Sequence, residues 1–243
     1  MRIDCYITQD FVETENLFKD TVLVMIDVLR AGTSICAALH NGAKEVVAVE
    51  SLERASRIYN NLSRETRFLG GERNCIKPTN FDAGNSPSEY SRQAVKGKSV
   101  IITTTNGTKL FQKGKQAKQK IIGGFVNMDI VIKYLKNVID SEKCNVTFLC
   151  AGNDGRLSYE DLLCAGSFIS ELSNSYFYAE LSDTAHLAMT VFDFHSMSLE
   201  QFIKEREHSR WLMELGLSED IEMSLTRNMY PVLPVISGNI IKV

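Results

Sequence analysis

The chain has 243 residues, of which 44% are hydrophobic, so it can bury a full core as one large domain or two small ones. Its formal net charge of -3 at pH 7 gives no basic surface of the kind that binds nucleic acid, and no block of like charges indicates a binding tail. We therefore expect a small molecule as the partner.

Seven short apolar runs have the composition of β-strands and alternate with segments of helical period. The predicted strands cover residues 2–7, 22–28, 45–49, 67–69, 99–103, 120–123 and 145–150. The predicted helices between and after them cover residues 33–40, 52–61, 108–116, 128–139 and 158–172. This alternation indicates a mostly parallel, mixed sheet covered by helices on both faces, which is a three-layer α/β/α sandwich.

After residue 175 the pattern turns more helical, with predicted helices over residues 184–192, 199–215 and 218–227. No Pro, Gly or Ser-rich linker and no repeat separates this part, so we predict a single α/β domain over residues 1–243. The closing residues 235–243 are predicted to return to the sheet as an edge strand.

No apolar run reaches membrane-spanning length, and the N-terminal residues lack the basic and apolar layout of a signal peptide. We therefore expect a cytoplasmic protein with no membrane partner. The six cysteines form no Cys-x-x-Cys pair and no zinc-finger spacing, which predicts reduced, mostly buried thiols rather than a disulfide framework.

The loop after the predicted strand at residues 99–103 carries a high density of polar groups. It runs through Thr103, Thr104, Thr105, Asn106, Gly107 and Thr108. In open α/β sheets, ligands bind at the carboxyl ends of strands, where the following helix offers free backbone N–H groups. The same residue types also suit an ordinary turn and helix cap, but three other predicted strands end in polar clusters as well. We therefore predict that this loop binds an anion.

Asp27 interrupts a strand that is otherwise continuously apolar. A buried carboxylate is costly unless it meets a cation or good hydrogen-bond donors. Asp27 therefore either belongs to a site, or pairs with Arg30, or accepts backbone N–H bonds at the start of the next helix. Arg30 follows in the next loop, where its guanidinium can bind phosphate, sulfonate or carboxylate.

The segment from Gly70 to Arg73 repeats this pattern, because two glycines allow close backbone approach and an acid and a base follow them. Downstream, Asn85 lies in a polar turn, where it either contacts a ligand or begins a helix. Asp27 and Glu72 thus lie at two strand ends, together with hydroxyls and arginines. They predict a site for Mg²⁺ and phosphate, since Mg²⁺ binds through a few carboxylates, several waters and an anionic substrate.

A rival mechanism uses Cys150 and Arg156, which match the Cys-x5-Arg spacing of phosphatases with a thiolate nucleophile. The match is loose, because Leu149 and Asn153 stand where that motif usually has His and Gly. A cysteine at the end of an apolar strand is also more often a small core residue.

Glu160 and Asp161 open the next predicted helix, where acids routinely serve as caps. They lie beside the loop that carries Arg156, so either of them can reach a metal or carry a proton. The four histidines show neither metal-ligand spacing nor a paired nucleophile and are interpreted as structural: His40, His186, His195 and His208.

Five of these segments recur as a set. They are VMIDVLRAGTS from residue 24, GGER from residue 70, FDAGNSP from residue 81, TTTNGT from residue 103 and CAGNDGRLSYED from residue 150. In this order and spacing they closely resemble the 2-phosphosulfolactate phosphatase family, strongly from residue 1 to about residue 166 and weakly beyond. The resemblance implies a magnesium-dependent acid phosphatase that removes phosphate from 2-phospho-3-sulfolactate on the route to coenzyme M.

The resemblance implicates nine residues: Asp27, Arg30, Glu72, Asn85, Thr104, Asn106, Arg156, Glu160 and Asp161. The predicted catalytic residues are Asp27, Glu72 and Asp161, and the predicted Mg²⁺ ligands are Asp27, Glu72 and Glu160. The predicted substrate-binding residues are Arg30, Arg73, Asn85, Thr103, Thr104, Thr105, Asn106, Gly107, Thr108 and Arg156. One mild departure from the family pattern is Gly32, where Ala or Thr is expected.

Two other functions stay open at this point: a phosphatase that uses Cys150, and a non-catalytic module that senses an anionic metabolite. The haloacid dehalogenase pattern Asp-x-Asp-x-Thr fails because Leu29 occupies the second acid position, and the Walker phosphate loop is absent from the sequence. The sequence also leaves open whether the chain forms a homo-oligomer and whether another 2-phospho hydroxy acid is the substrate.

Overall fold

The computed structural model describes the backbone of residues 1–243 and the side chains of all of them except Glu15. Ten strands form one sheet: β1 Arg2–Tyr6, β2 Thr21–Ile26, β3 Glu45–Ala48, β4 Arg67–Gly71, β5 Ser99–Thr103, β6 Gln119–Ile122, β7 Asn145–Cys150, β8 Glu180–Leu181, β9 Val235–Ser237 and β10 Ile240–Lys242. The α-helices are α1 Ala31–His40, α2 Leu52–Asn60, α3 Arg92–Val95, α4 Gly107–Leu110, α5 Met128–Glu142, α6 Tyr159–Ser175, α7 Asp183–His195, α8 Leu199–Lys204, α9 Glu207–Glu214 and α10 Ser218–Leu225.

All seven strands predicted in the first 150 residues are present, because their β-branched and aliphatic runs are buried on both faces of the sheet. β2 is buried at every position, and so is β5. Burial on both faces explains why these strands read as continuous apolar runs rather than as alternating patterns.

The sheet consists of two parallel parts joined by an antiparallel hairpin. Its strand order is β4-β5-β3-β10-β9-β6-β2-β7-β1-β8. β3, β4 and β5 pair in parallel, as do β6, β2, β7, β1 and β8. The hairpin of β9 and β10 pairs antiparallel with β3 on one side and with β6 on the other.

The prediction that residues 235–243 form an edge strand is therefore wrong in position. The segment folds into a hairpin at the centre of the sheet, where the side chains of Ile236 and Ile241 are buried. Its sequence contains both strands and the turn at Gly238, which has φ +61°. Two central neighbours satisfy the backbone hydrogen bonds that an edge strand would leave open.

Helices cover both faces of the sheet, which confirms the three-layer α/β/α architecture. α5 and α6 pack on one face, where Phe148 of β7 stacks on Phe168 of α6. α1 packs on the opposite face, where Ile35 lies in a core with Leu23 and Met25 of β2. No helix among the described residues is long and apolar enough to cross a membrane.

Two predicted helices are shorter than expected. The helix predicted over residues 108–116 ends at Leu110, and Gly114 with φ +69° lies in the turn beyond it. The helix predicted over residues 199–215 is broken between Lys204 and Glu207, so that α8 and α9 are separate. Both differences bear on the site, because α4 follows the predicted anion loop and α9 carries a residue of the pocket.

Candidate active site

Loops that follow β2, β4, β5 and β7 meet at one pocket. It is lined by Asp27, Leu29, Arg30, Glu72, Asn74, Cys75, Asn85, Thr104, Thr105, Asn106, Gly107, Asn153, Asp154, His208 and Trp211. The structure thus brings together eight of the predicted site residues: Asp27, Arg30, Glu72, Asn85, Thr104, Thr105, Asn106 and Gly107. Two helices of the C-terminal part also reach this region: α9 lines the pocket, and α10 contacts Arg30 from behind.

Asp27 lies directly after β2 and is buried in the wall of the pocket. Its Oδ1 accepts the Ala31 backbone N–H at 3.0 Å, so the carboxylate also caps the start of α1. A Cβ on Gly107 would lie 2.6 Å from Oδ2, which explains why this loop position holds a glycine. Burial raises the pKa of Asp27 to about 6, against the Ala31 hydrogen bond and the charge of His208.

Gly32 lies close behind this carboxylate. Its N–H donates to the Asp27 carbonyl oxygen at 2.9 Å, and a Cβ at position 32 would lie 2.6 Å from the same oxygen. Position 32, where the chain departs from the family pattern, therefore lies at a close contact between α1 and the end of β2. Glycine is the residue that this contact admits without a shift of the backbone.

Glu72 connects two loops of the pocket. Its Oε1 accepts the Thr105 N–H at 2.7 Å, and its Oε2 accepts the Cys75 N–H at 2.8 Å and the Thr105 hydroxyl at 3.2 Å. Three donors from the protein thus engage the carboxylate. Glu72 holds the loop after β4 against the loop after β5, which is a positioning role.

His208 of α9 contributes a cation to the pocket. Its Nδ1 lies 2.6 Å from Oε1 of Glu160, whose side chain is buried. Burial lowers the pKa of His208, but hydrogen bonds to Cys75 and Glu160 outweigh this and raise it to about 10. Burial likewise opposes ionisation of Glu160, and His208 nevertheless holds the pKa of this carboxyl below its usual value. The interpretation of His208 as a structural histidine without a functional partner is therefore wrong.

Asp161 lies behind the pocket rather than in it. Its carboxylate accepts the Val28 N–H at 2.8 Å and the Gly152 N–H at 3.2 Å, so it connects the loops after β2 and β7. Burial and the charges of Glu160 and Asp27 raise the pKa of Asp161 well above its usual value. Its contacts indicate a positioning role rather than direct participation in a reaction.

Arg30 is already paired. Its Nη1 donates to Oδ2 of Asp220 at 2.6 Å, and both side chains are only 3% exposed. The other Asp220 oxygen accepts the Ser86 hydroxyl in a short hydrogen bond. Asp220 of α10 thus neutralises Arg30 and anchors the turn that carries Asn85. This side-chain carboxylate was not among the predicted site residues.

Asn85 presents an acceptor that no protein donor satisfies. The residue is 5% exposed and lines the pocket, and its Oδ1 is buried without a hydrogen bond among the described residues. An unsatisfied buried acceptor is costly, and native proteins usually pair it with water, an ion or a ligand. The Asn85 oxygen is therefore available to bind a cation or to accept a hydrogen bond from a ligand.

Three predicted substrate-binding residues serve the scaffold instead. Arg73 donates to the carbonyls of Glu72 and Glu50 and to the Thr103 hydroxyl. Thr108 donates its hydroxyl to the Thr104 carbonyl at 2.8 Å, and Thr103 and Thr108 are both fully buried. The loop from Thr103 to Thr108 is thus stabilised by side chains that the sequence analysis predicted to bind a ligand.

The amide donors of this loop are also partly used. The Thr105 N–H donates to Glu72 and the Thr108 N–H donates to the Thr104 hydroxyl at 3.2 Å. α4 has only four residues, so it offers little of the helix dipole that the sequence suggested. The side chains of Thr104, Thr105 and Asn106 remain the groups of this loop that line the pocket.

Arg156 and Glu160 border a neighbouring pocket, which shares Asn153, Asp154 and His208 with the first. Arg156 is exposed, and it forms no side-chain hydrogen bond or ion pair with the described side chains. Of the three arginines predicted to bind substrate, it is the one whose charge is not engaged by the protein.

The three carboxylates predicted to bind metal do not form a ready-made cluster. Among the described residues, no three His, Cys, Asp or Glu side chains are arranged to hold a metal ion. Glu72 is occupied by backbone and hydroxyl donors, and Glu160 is occupied by His208. Asp27 and Asn85 are the pocket residues whose oxygens fit a cation best, because one carries buried charge and the other lacks a partner.

Cys150 is fully buried in β7 and does not line either pocket. A hydrogen bond with Cys5, together with burial, raises the pKa of its thiol well above the usual value. A thiol that stays protonated and enclosed is a poor nucleophile. The structure therefore favours a core role for Cys150 over the rival thiolate mechanism.

Two residues that the sequence analysis missed, His208 and Asp220, pair with predicted site residues. Each meets its partner across a long stretch of chain: His208 is 48 residues from Glu160, and Asp220 is 190 residues from Arg30. Each also lies on a helix in the part of the chain where the family resemblance was weak. No local spacing signals such contacts, so only the fold reveals them.

The chain is similar to known proteins over nearly its whole length. The family model described as 2-phosphosulpholactate phosphatase matches residues 6–239. A protein of Clostridium perfringens (strain 13 / Type A) is 41% identical over 231 residues, which cover 94% of this chain and 91% of the relative. Relatives from Clostridium tetani and Caldanaerobacter subterraneus subsp. tengcongensis are 37% and 35% identical, and cover 100% of this chain and 100% and 98% of their own lengths.

Each of these three relatives is named "Probable 2-phosphosulfolactate phosphatase". The family match extends through α9, α10 and β9 in the C-terminal part, where the motifs alone gave a weak resemblance. The chain belongs to the 2-phosphosulfolactate phosphatase family.

Proposed function

We propose that the protein hydrolyses the phosphate ester of 2-phospho-3-sulfolactate, or of a related 2-phospho hydroxy acid, to the hydroxy acid and phosphate. Membership of the family supports the reaction type. The observation that carries the proposal is the pairing, in one pocket, of the buried Asp27 carboxylate with the unsatisfied Asn85 Oδ1. A pocket of this kind fits an anionic ligand that arrives with a cation.

Mg²⁺ is proposed as that cation. Asp27 and Asn85 would hold it, since Mg²⁺ binds hard oxygen donors and often takes only one or two protein carboxylates in addition to substrate phosphate and water. The raised pKa of Asp27 supports this choice, because burial leaves its negative charge uncompensated. When bound, Mg²⁺ would polarise the phosphoryl oxygens and offset the charge that develops on them.

The protein's own groups then orient the substrate. Thr104 and Asn106 offer side-chain hydrogen-bond donors along one wall, and Glu72 fixes that wall through the N–H and hydroxyl of Thr105. In the reaction, a water oxygen bonds to phosphorus, and the bond from phosphorus to the 2-oxygen of the substrate breaks. Positioning of this kind supplies most of the catalysis in phosphoryl transfer, which forms little covalent chemistry with the protein.

The cations around the pocket set its preference for the second anion. Asp220 neutralises Arg30, and backbone carbonyls accept hydrogen bonds from Arg73. Arg156 forms no ion pair with the described side chains, and the His208 ring lines the pocket as a cation whose charge Glu160 offsets. We assign the sulfonate or carboxylate of the substrate to Arg156 and His208. His208 carries its charge at neutral pH, since its pKa is raised to about 10. A doubly anionic substrate would thus meet donors on two sides of the pocket.

The proposed reaction is tested by measuring phosphate release from 2-phospho-3-sulfolactate with metal-free protein, with added Mg²⁺ and with excess chelator. We expect turnover with Mg²⁺ and a loss of at least a hundredfold with chelator, because Asp27 and Asn85 would lose their shared partner. Full turnover in the chelator would contradict the metal dependence. Binding of the ester without turnover under every condition would instead favour a metabolite sensor.

Substrate preference gives a second test. A well-placed arginine contact to an anion is worth about 1.5–3 kcal/mol, so replacing the sulfonate with a neutral group should lower kcat/KM by roughly tenfold to a hundredfold. The measurement compares 2-phospho-3-sulfolactate with a neutral alkyl phosphate of similar size. Arg156→Gln should shrink this ratio, whereas Arg92→Gln on α3, outside both pockets, should leave it unchanged. Equal kcat/KM values for both esters would show that the cations do not select the substrate.

A further inference from the structure

One of the six cysteines differs from the others in its surroundings. Cys75 is half-buried and lines the candidate active-site pocket. The remaining five are buried: Cys5, Cys36, Cys144, Cys150 and Cys164. A small reagent that enters the pocket therefore meets the thiol of Cys75, whereas the other thiols are enclosed by the core.

Cys75 and His208 line the same pocket, and the interaction with the Cys75 side chain contributes to the raised pKa of His208. On its other side, His208 contacts the buried carboxylate of Glu160, with Nδ1 and Oε1 2.6 Å apart. A thiol, an imidazole and a carboxylate thus stand in series. Because His208 is charged at neutral pH, it acts in this series as a cation beside the sulfur, oriented by Glu160, and not as a base.

The backbone holds Cys75 in place. Asn74 and Cys75 both have positive φ, at 53° and 61°, in a tight turn closed by hydrogen bonds between Arg73 and Ile76. Residues other than glycine rarely adopt this conformation, and it persists where the surroundings fix it. Here the Cys75 N–H is fixed by Glu72 at 2.8 Å. The thiol is therefore presented by a rigid turn rather than by a flexible loop.

A separate feature indicates that molecules enter this pocket. Asn85 lies on the same pocket, and its buried Oδ1 lacks a hydrogen bond among the described residues. That unsatisfied acceptor belongs to a different loop and is independent of the Cys75, His208 and Glu160 series. A ligand that satisfies Asn85 occupies the space that Cys75 borders.

We propose that Cys75 is a modification site, at which a small carbon electrophile reacts with the thiol and closes the pocket to the phosphorylated substrate. The sulfur donates an electron pair to form a new sulfur–carbon bond. The leaving group departs with the electron pair of the bond that breaks, and the thiol proton passes directly to solvent, since His208 already carries its proton. The effect on turnover rests on the proposed phosphatase function, whereas the modification itself does not.

The modification is tested with iodoacetamide on the full chain, followed by intact mass and peptide mapping. We expect one carbamidomethyl group, located on Cys75, in the unaltered chain and in the matched control Cys150→Ser. Cys75→Ser should take up none over the same time. Labelling of other cysteines in Cys75→Ser at the rate seen in the unaltered chain would overturn the proposal.

The role of the series is tested by the labelling rate of His208→Gln and of Glu160→Gln. We expect His208→Gln to label roughly tenfold more slowly, because Gln lacks the positive charge that favours the reacting thiolate. The rate of Glu160→Gln should lie between those of His208→Gln and the unaltered chain. Circular dichroism establishes that each variant is folded. An unchanged rate in both folded variants would overturn activation by His208.

The consequence for the pocket is tested by phosphate release after labelling. Turnover should fall in proportion to the labelled fraction, and inorganic phosphate should slow the labelling. Full turnover by completely labelled protein would overturn closure of the pocket. If the unlabelled chain shows no turnover, the phosphatase proposal fails, while the mass and rate measurements still decide whether Cys75 is the modified residue.

Discussion

Replacing Asp27 with Asn should lower kcat by on the order of a thousandfold while leaving the fold intact. The amide keeps nearly the same shape and can still accept the Ala31 N–H through its oxygen. It removes a buried negative charge from the pocket that also contains the unsatisfied Asn85 oxygen. Phosphate release from 2-phospho-3-sulfolactate under saturating Mg²⁺ measures the effect.

The same substitution should stabilise the metal-free protein at neutral pH. Burial raises the pKa of Asp27 from 3.8 in its reference state to about 6, so the charged form is disfavoured in the folded protein. The cost of that charge is fully present above pH 6 and disappears as the pH falls below 3.8. Asp27→Asn should therefore gain about 1–3 kcal/mol of unfolding free energy at pH 7.5, and the gain should shrink towards pH 4.

A suitable control for both effects is Asp82→Asn. Asp82 also accepts a backbone N–H, that of Leu69 at 2.8 Å, but it does not line the pocket. It should keep turnover close to that of the unaltered chain and should not gain stability. If Asp27→Asn retained more than a tenth of kcat, Asp27 would have no essential part in the reaction.

The opposite signs of these two effects distinguish a functional carboxylate from a structural one. If a carboxylate stabilises the fold, removing its charge lowers the unfolding free energy of the protein. If it serves the reaction instead, removing its charge lowers activity and raises the unfolding free energy. The sign of the stability effect does not separate Asp27 from Asp161, because burial raises the pKa of both carboxyls. What separates them is that Asp161 does not line the pocket and that its oxygens accept the amides of Val28 and Gly152. Asp27 and Asp161 are both buried acids near strand ends, yet their contacts assign them different roles.

The strands and the location of the site could be predicted from the sequence, because the relevant signals are local. An apolar run such as residues 22–26 identifies a buried strand, and the residue after it must lie at the carboxyl end of that strand. This reasoning placed Asp27, Glu72 and the loop from Thr104 to Gly107 correctly at one pocket. The spacing of the motifs then identified the family.

The roles of individual side chains could not be predicted in the same way. Arg30, Arg73 and Thr103 have the chemistry of anion-binding residues, but their partners are Asp220, backbone carbonyls and one another. Those partners come from other elements, so the sequence near each residue contains no sign of them. The same reason explains the central hairpin of β9 and β10, whose neighbours β3 and β6 are far away in the chain.

Asp220→Ala should destabilise the protein by about 3–5 kcal/mol, which is the largest effect that we expect on folding. The substitution leaves the guanidinium of Arg30 buried and unpaired, and the Ser86 hydroxyl loses its acceptor. Both partners of the ion pair are only 3% exposed, so water cannot replace the lost carboxylate without opening the structure. Urea unfolding followed by circular dichroism measures the change in unfolding free energy.

The matched comparison is Asp129→Ala, which removes an ion pair with Arg227 whose side chains are 55% and 63% exposed. An exposed pair is worth about 1 kcal/mol or less, so this variant should lose far less stability than Asp220→Ala. The double variant Arg30→Met with Asp220→Leu should recover much of the loss, because it removes the buried charge together with its partner. Equal losses in Asp220→Ala and Asp129→Ala would show that the Arg30 guanidinium is not held by Asp220. In that case Arg30 would be available to the substrate, and the assignment of the second anion to Arg156 and His208 would fail with it.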